Sequence, residues 1–295
     1  MDRFFRLTRL LCFCLFAVAT SAFAGEPAAE APQPPVVLSS GAEGGGYWNA
    51  ATRMRSVAAD RAGLAVDILP STGSLENIEK LLDADSPVNL AFVQADAAQF
   101  YLDQHHGQIE KLDLLESIGQ ECVFIMAGVD SGIRNEKDLH DASDLRLGIA
   151  SPSSGVAATF NYMVSEIPAM ADIEVSYGDT AAAMEQLTSP EGPVDAVMVV
   201  HRPRAHSQEV DYALAHSDRI RFVELNDELF LQGMWNGDRI YRTMKLAMPE
   251  PHAPVHTLSV RGLLLANKQK LSIEQRNKLG DLMLYHWMEI YPTQS

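Results

Sequence analysis

Apolar positions along the chain follow two rhythms. Val36, Val37 and Leu38 form a short unbroken apolar run that stops at Ser39-Ser40-Gly41, and Tyr47, Ala50, Met54, Val57 and Ala58 then recur at helical spacing. The pattern predicts strand, glycine loop, helix. Residues 64–69 predict a second strand. Ser71-Thr72-Gly73-Ser74 then precedes a helix with Leu75, Ile78, Leu81 and Leu82 on one face, Ser74 as its natural N-cap and Asn77 at the third helical position. Residues 89–93 predict a third strand, and Asp96 opens the next helix.

Residues 114–129 carry no helical period and are predicted as strands leaving this first region. The rhythm then restarts. Residues 145–150 read as strand, Pro152-Ser153-Ser154-Gly155 as loop, 156–166 as helix, 173–177 as strand, 180–187 as helix and 194–200 as strand. A third segment places strands at 220–225 and 257–266. Its final helix is capped by Ser272 with Gln275 three residues on, and Leu279, Leu282, Met283, His286 and Ile290 line one face.

Repeated strand, loop, helix units imply α/β architecture: parallel sheet, right-handed crossovers, and ligands gathered at the carboxyl ends of the strands. The predicted organisation is lobe 1 over residues 36–128 and 222–295 with lobe 2 over 129–221. Two chain crossings between lobes make a hinge suited to closure around a ligand.

The first residues modify this picture without adding to the core. Arg3, Arg6 and Arg9 precede the apolar stretch 10–19 and then Ala22-Phe23-Ala24, the three parts of a secretory signal peptide over residues 1–24. An Ala/Pro/Glu-rich tether over 25–35 follows. A periplasmic location is the expectation. Cleavage would remove three Arg and one Asp and take the net charge from −16 to −18. Such a surface disfavours nucleic acid and anionic lipid as partners. Beyond residue 24 one cysteine remains, Cys122, in an apolar context that reads as a buried small hydrophobe.

The candidate chemistry lies in the loops. Helix starts at 44–47, 72–74 and 153–156 would each present free N–H groups and partial positive charge to an anion. That nominates Gly45, Gly46, Tyr47, Thr72, Gly73, Ser74, Asn77, Ser153, Ser154 and Gly155 as ligand contacts. Tyr47 and Trp48 are adjacent, so one faces inward, and Tyr47 is the one assigned to the cleft. Gln94 at a strand end would bond the ligand; Asp96 would either meet a ligand ammonium or cap its helix. Arg202 or Arg204 would either clamp a carboxylate or stand solvated at the surface. No nucleophile elbow, His-Glu-x-x-His pair, Cys-x-x-Cys pair or phosphate loop occurs, so no enzyme, metal or cofactor is expected.

Several of these segments, in this order, resemble one family. Gly44-Gly45-Gly46-Tyr47-Trp48, Gly73-Ser74-Leu75-Glu76-Asn77, Leu90-Ala91-Phe92-Val93-Gln94-Ala95-Asp96, Ser131-Gly132-Ile133 with Asp138-Leu139, the run Leu147 to Gly155, and Val194-Asp195-Ala196 are similar to motifs of the TAXI solute receptors of TRAP transporters. The resemblance spans roughly residues 36–225 and implies the type II periplasmic-binding-protein fold. It further implies a monomeric, non-enzymatic receptor that captures an amino, keto or dicarboxylic acid and delivers it to a TRAP-type membrane permease. A periplasmic sensor or interaction module on the same fold is the alternative. Asn49 stands where the family has proline, Val156 where it has threonine, and the basic run His201-Arg202-Pro203-Arg204 lacks an expected glycine.

Overall fold

The computed structural model describes residues 33–141, 144–189, 192–203, 207–226 and 228–292. The expected signal peptide, most of the tether, and Arg204 lie outside the described residues.

The first half is wound around β1 (Val36–Ser39), which pairs in parallel with β2 (Val66–Leu69) on one side and β3 (Leu90–Gln94) on the other. Helices α1 (Gly46–Ala62), α2 (Ser74–Leu82) and α3 (Ala95–Gln104) start where these strands end. β3 is buried along its whole length, as a parallel strand covered on both faces requires. Strand β4 (Leu112–Gly128) then runs for 17 residues, and the short helix α4 (Glu136–His140) follows.

The second half repeats the winding: β5 (Arg146–Ile149) lies between β6 (Glu174–Tyr177) and β7 (Ala196–His201), parallel to both, with α5 (Gly155–Glu166) and α6 (Thr180–Gln186) in the connections. After α7 (Gln208–Ala215) come β8 (Ile220–Phe222), β9 (Tyr241–Leu246), β10 (Val255–Asn267) and α8 (Ile273–Ile290).

One sheet joins everything, in the order β2-β1-β3-β10-β4-β7-β5-β6, with β8 on β4 and β9 on β10. Its centre is antiparallel. β10 pairs with β3 and with β4 from Leu112 to Val123, while β4 pairs with β7 from Cys122 to Ala127. β4 is therefore the strand through which the two windings join, with β10 on one side and β7 on the other.

The helical stripes read from the sequence pack into the core, except for His286, which is half-buried and bonds Glu289. Ala50, Met54 and Ala58 of α1 pack with Leu279, Leu282, Met283 and Ile290 of α8 over β1 and β3. A larger cluster runs from Ile78 and Val93 to Leu147, Phe160 and Tyr162, so apolar packing continues across the sheet. Cys122 is buried, as its context implied, and burial followed by the charge of Glu121 pushes its thiol up to about 12.

Three differences from the sequence reading have physical causes. α2 begins at Ser74 itself, so Gly73 takes the cap position and Ser74 makes no cap bond. The strand expected over 220–225 ends at Phe222, because the next three amides donate to three separate segments, at Ile125 O, Arg134 O and His256 O. β9 has no counterpart in the sequence pattern. Tyr241 and Leu246 at its ends are its only buried residues, and Arg242 to Lys245 between them are exposed or half-buried, with no period of two to mark a strand.

Candidate functional site

The loops at the carboxyl ends of β1, β2, β3, β5 and β7 meet around a cavity of about 530 Å³, within the ~300–1,000 Å³ range of small-ligand sites. Eight of the nominated residues line it: Gly45, Gly46, Tyr47, Gly73, Ser74, Gln94, Gly155 and Arg202. Asn49, Val156 and His201, three of the departures from the family pattern, also lie in the wall. The sequence reading missed Glu121.

Tyr47 sits half-buried at the start of α1, its ring centroid 5.5 Å from that of Phe92. Its hydroxyl donates to Glu121 Oε2 at 3.3 Å, and a Cβ on Gly262 would lie 3.1 Å from the same hydroxyl oxygen, so a side chain there would press on the phenol. Burial, then the neighbouring Glu121 charge, raises the phenol well above its ordinary range, and it remains a donor. Glu121 itself is 9% exposed. Burial first and the Asp96 charge second lift its carboxyl to about 7, against the opposing effects of Tyr47, Arg202 and Gln94.

The starts of α2 and α5 touch. A Cβ on Gly73 would come within 2.6 Å of Gly155 N and 2.8 Å of Ser154 Cα, at a φ of +148° that side chains rarely adopt. Thr72 Oγ1 donates to Glu76 Oε2 (2.6 Å) and lies 2.6 Å from Ser153 Oγ, whose proton therefore points to it. Ser74 Oγ accepts from Gln94 N (3.1 Å) and donates to Gln94 Oε1 (3.3 Å), placing that amide beside Gly155. Thr72 and Ser153 thus bond each other across the seam outside the cavity wall. Ser154 is buried and caps α5 by accepting from Ala157 N.

Asn77 and Asp96 are fully buried and their polar atoms are engaged within the protein. Asn77 Oδ1 accepts from Ser39 Oγ (2.6 Å), and its amide donates to Phe92 O (2.7 Å) and to Ser40 O. Asp96 accepts from Ala97 N (2.7 Å), Thr159 Oγ1 (2.6 Å) and Tyr241 Oη (2.7 Å), which ties α3 to α5 and β9. Each is a structural node beneath the cavity.

Arg202 leaves the end of β7. Its guanidinium lies 3.9 Å from the Tyr291 ring centroid and donates to Pro292 O at 2.8 Å, beyond the end of α8. The same side chain lines a second cavity of about 500 Å³, together with Trp287, Met244 and Lys245. Among the described residues no group of three or more His, Cys, Asp and Glu could hold a metal ion, and no helix is long and apolar enough to cross a membrane.

No protein-family model matches the chain, and no curated protein is similar to it in sequence at a significant level. Solved structures are similar in shape. A Xanthomonas citri protein with ATP bound is 11% identical, covers 84% of this chain and 82% of its own, and gives a TM-score of 0.51. A Bordetella bronchiseptica protein is 14% identical over 84% of this chain and 69% of its own, with a TM-score of 0.50. The binding-protein component of an ABC phosphonate transporter from Pseudomonas aeruginosa is 15% identical over 88% and 78%, with a TM-score of 0.46. At these identities the likeness is one of fold. The fold is α/β, with the strand order given above.

Proposed function

We propose that this chain is a periplasmic solute-binding protein of the TAXI class, which captures a small organic anion and passes it to a TRAP-type membrane permease. Lobe 1 (36–128 and 222–295) and lobe 2 (129–221) would move about β4, the lobe 1 strand that β7 of lobe 2 pairs with.

One observation carries the binding role. Helices α4, α6, α7 and α8 each begin with a side chain bonded to their own first-turn amides, from Asn135, Asp179, Ser207 and Ser272. α1 and α2, which start at the cavity wall, begin with glycine and no such bond. First-turn amides without a side-chain acceptor call for another acceptor, and a carboxylate in the cleft supplies it. Keto, amino and dicarboxylic acids offer that group at a size the cavity accommodates. Arg202 and Tyr47 line the same wall, the guanidinium held on the Tyr291 ring and Pro292 O and the phenol on Glu121.

The test is a thermal-shift screen of these acids at millimolar level, with Gly46→Asp as the partner variant. Ligand that binds only the folded form raises stability by mass action, about 2.7 kcal/mol at a hundredfold excess over Kd. A Cβ at Gly46 has space, its nearest neighbour being Arg202 Cδ at 3.9 Å. The new carboxylate would stand where the ligand's belongs, so Gly46→Asp should keep its melting temperature and lose the acid-induced shift. A shift produced by neutral or cationic compounds and by no acid would sink the proposal.

A further inference from the structure

One group is out of place in a cavity suited to anions, and it is a carboxyl. Glu121 lies on β4 opposite Val260 of β10, and its side chain reaches the cavity floor. The hydrogen bond it accepts from Tyr47 is long at 3.3 Å. No Lys, Arg or His forms an ion pair with it among the described residues. The groups that face it come from every surrounding element: Tyr47 of α1, Gln94 at the end of β3, Asp96 of α3, Arg202 after β7 and Tyr291 after α8, with Cys122 next along the strand. Arg202 is the one cation in this set, and its guanidinium is turned to the Tyr291 ring and Pro292 O.

The starts of α1 and α2 lie in the remaining wall with no side-chain cap on their first amides, so the cavity suits oxygen acceptors better than a three-donor ammonium. An anion seated there adjoins Glu121, and two carboxylates at one site cannot both stay ionised cheaply. The carboxyl already holds its proton to about pH 7, and a second negative charge holds it more firmly.

Building on the anion-receptor reading, we infer that the cleft takes up its organic anion together with one proton from solvent, which rests on Glu121 and is donated from the carboxyl O–H to a ligand oxygen. Glu121 is then the residue that sets specificity. A ligand oxygen is accepted at that position and an ammonium nitrogen is disfavoured.

The experiment is isothermal titration of the full chain with two matched pairs, pyruvate against L-alanine and 2-oxoglutarate against L-glutamate. It runs at pH 5.5 to 8.5 in buffers of different ionisation enthalpy, with wild type and Glu121→Gln. The oxo acids should bind wild type with close to one proton taken up at pH 8, and Kd should rise about tenfold from pH 7.5 to 8.5. Glu121→Gln, which carries no titrating group there, should bind them with no proton uptake and a flat profile, within a few fold of the wild-type affinity at low pH. Amino acids that bind more tightly as pH rises and are lost in Glu121→Gln would show a carboxylate–ammonium pair and overturn the inference alone. Binding of an oxo acid to wild type at pH 8 without proton uptake would overturn it too, with the receptor reading intact. If none of the four acids binds either protein, the receptor reading fails for these acids and takes the inference with it. A ligand-free NMR titration then stands as an independent measurement, in which a Glu121 carboxyl that titrates near its ordinary 4.5 overturns the inference by itself.

Discussion

The starts of α1 and α2 at the cleft and the helix starts elsewhere in the fold are built differently. α4 and α8 have full capping boxes, with Asn135 and Asp138 in one and Ser272 and Gln275 in the other, while Asp179 and Ser207 cap α6 and α7. Each has a side-chain acceptor within three positions, and the first amide of α4 also donates to Glu224 O at 2.9 Å. Of the helix starts at the cleft, α5 is capped by Ser154, while at α1 and α2 the acceptors are remote or missing. The start of α2 leans on α5 and Gln94; the start of α1 opens into the cavity with only the Gly45 N–H to Ala42 O turn behind it. A capped helix start carries its own acceptor, and the starts of α1 and α2 are each half of an interaction.

The largest expected effect comes from forcing the touching pair, α2 and α5, apart. Gly73→Ala would set a methyl against backbone atoms of α5, in a left-handed conformation that itself strains alanine. Overpacking and backbone strain together suggest a loss of about 4 kcal/mol, and hence a fall in Tm of about 8–16 °C for a chain of this size. Calorimetry of the purified variant measures it. A change below about 1 kcal/mol would mean that the two helix starts are not in contact in solution, and the contrast between α1 and α2 would vanish.

The same contrast marks how far the sequence can be read. Apolar rhythm and turn residues locate α1, α2, α3, α5, α6, α8 and the parallel strands between them, because each signal lies within one element. The glycine loops are legible for the same reason. What fills a loop is not: Ser74 has the chemistry of a cap, yet its hydroxyl bonds Gln94, 20 residues on. Asn77 and Asp96 read as ligand contacts, and their actual partners lie up to 145 residues away. Glu121 escapes notice because the apolar run that follows it reads as buried strand. That a charge stands at the edge of a run buried from Cys122 to Ala127 is the available signal, since a carboxyl in such a place is held by a specific partner or serves a site.

An intermediate effect should come from Glu76, the anion that α2 carries for itself. Thr72 donates to it from both N (2.7 Å) and Oγ1 (2.6 Å), and Lys80 Nζ stands at 2.5 Å. Burial pushes this carboxyl up, but the bonds from Lys80 and Thr72 outweigh it and hold the group at about 2. A depressed pKa means stability present above the unfolded value, near 4.5, and lost as pH falls towards 2. Its side chain is 26% exposed, so solvent screening reduces the contribution to about 1–2 kcal/mol. Glu76→Gln should therefore lose that amount at pH 7 and nothing at pH 2 in urea titrations. An equal loss at both values would assign the effect to packing rather than charge.

The smallest effect should come from repeating the first substitution at the other helix start. Gly46 opens α1 as Gly73 precedes α2, but a methyl on Gly46 would meet nothing nearer than Arg202 Cδ at 3.9 Å. Alanine also loses less backbone freedom than glycine on entering a helix. Gly46→Ala should therefore leave stability unchanged or raise it by about 0.5 kcal/mol, read in the same urea titrations. The pair of alanine variants then isolates the cause of the difference, since the residue change is identical and only the facing surface differs. A marked destabilisation by Gly46→Ala would show that a protein group already fills the mouth of α1, and that this helix start, like that of α2, has its acceptor within the fold.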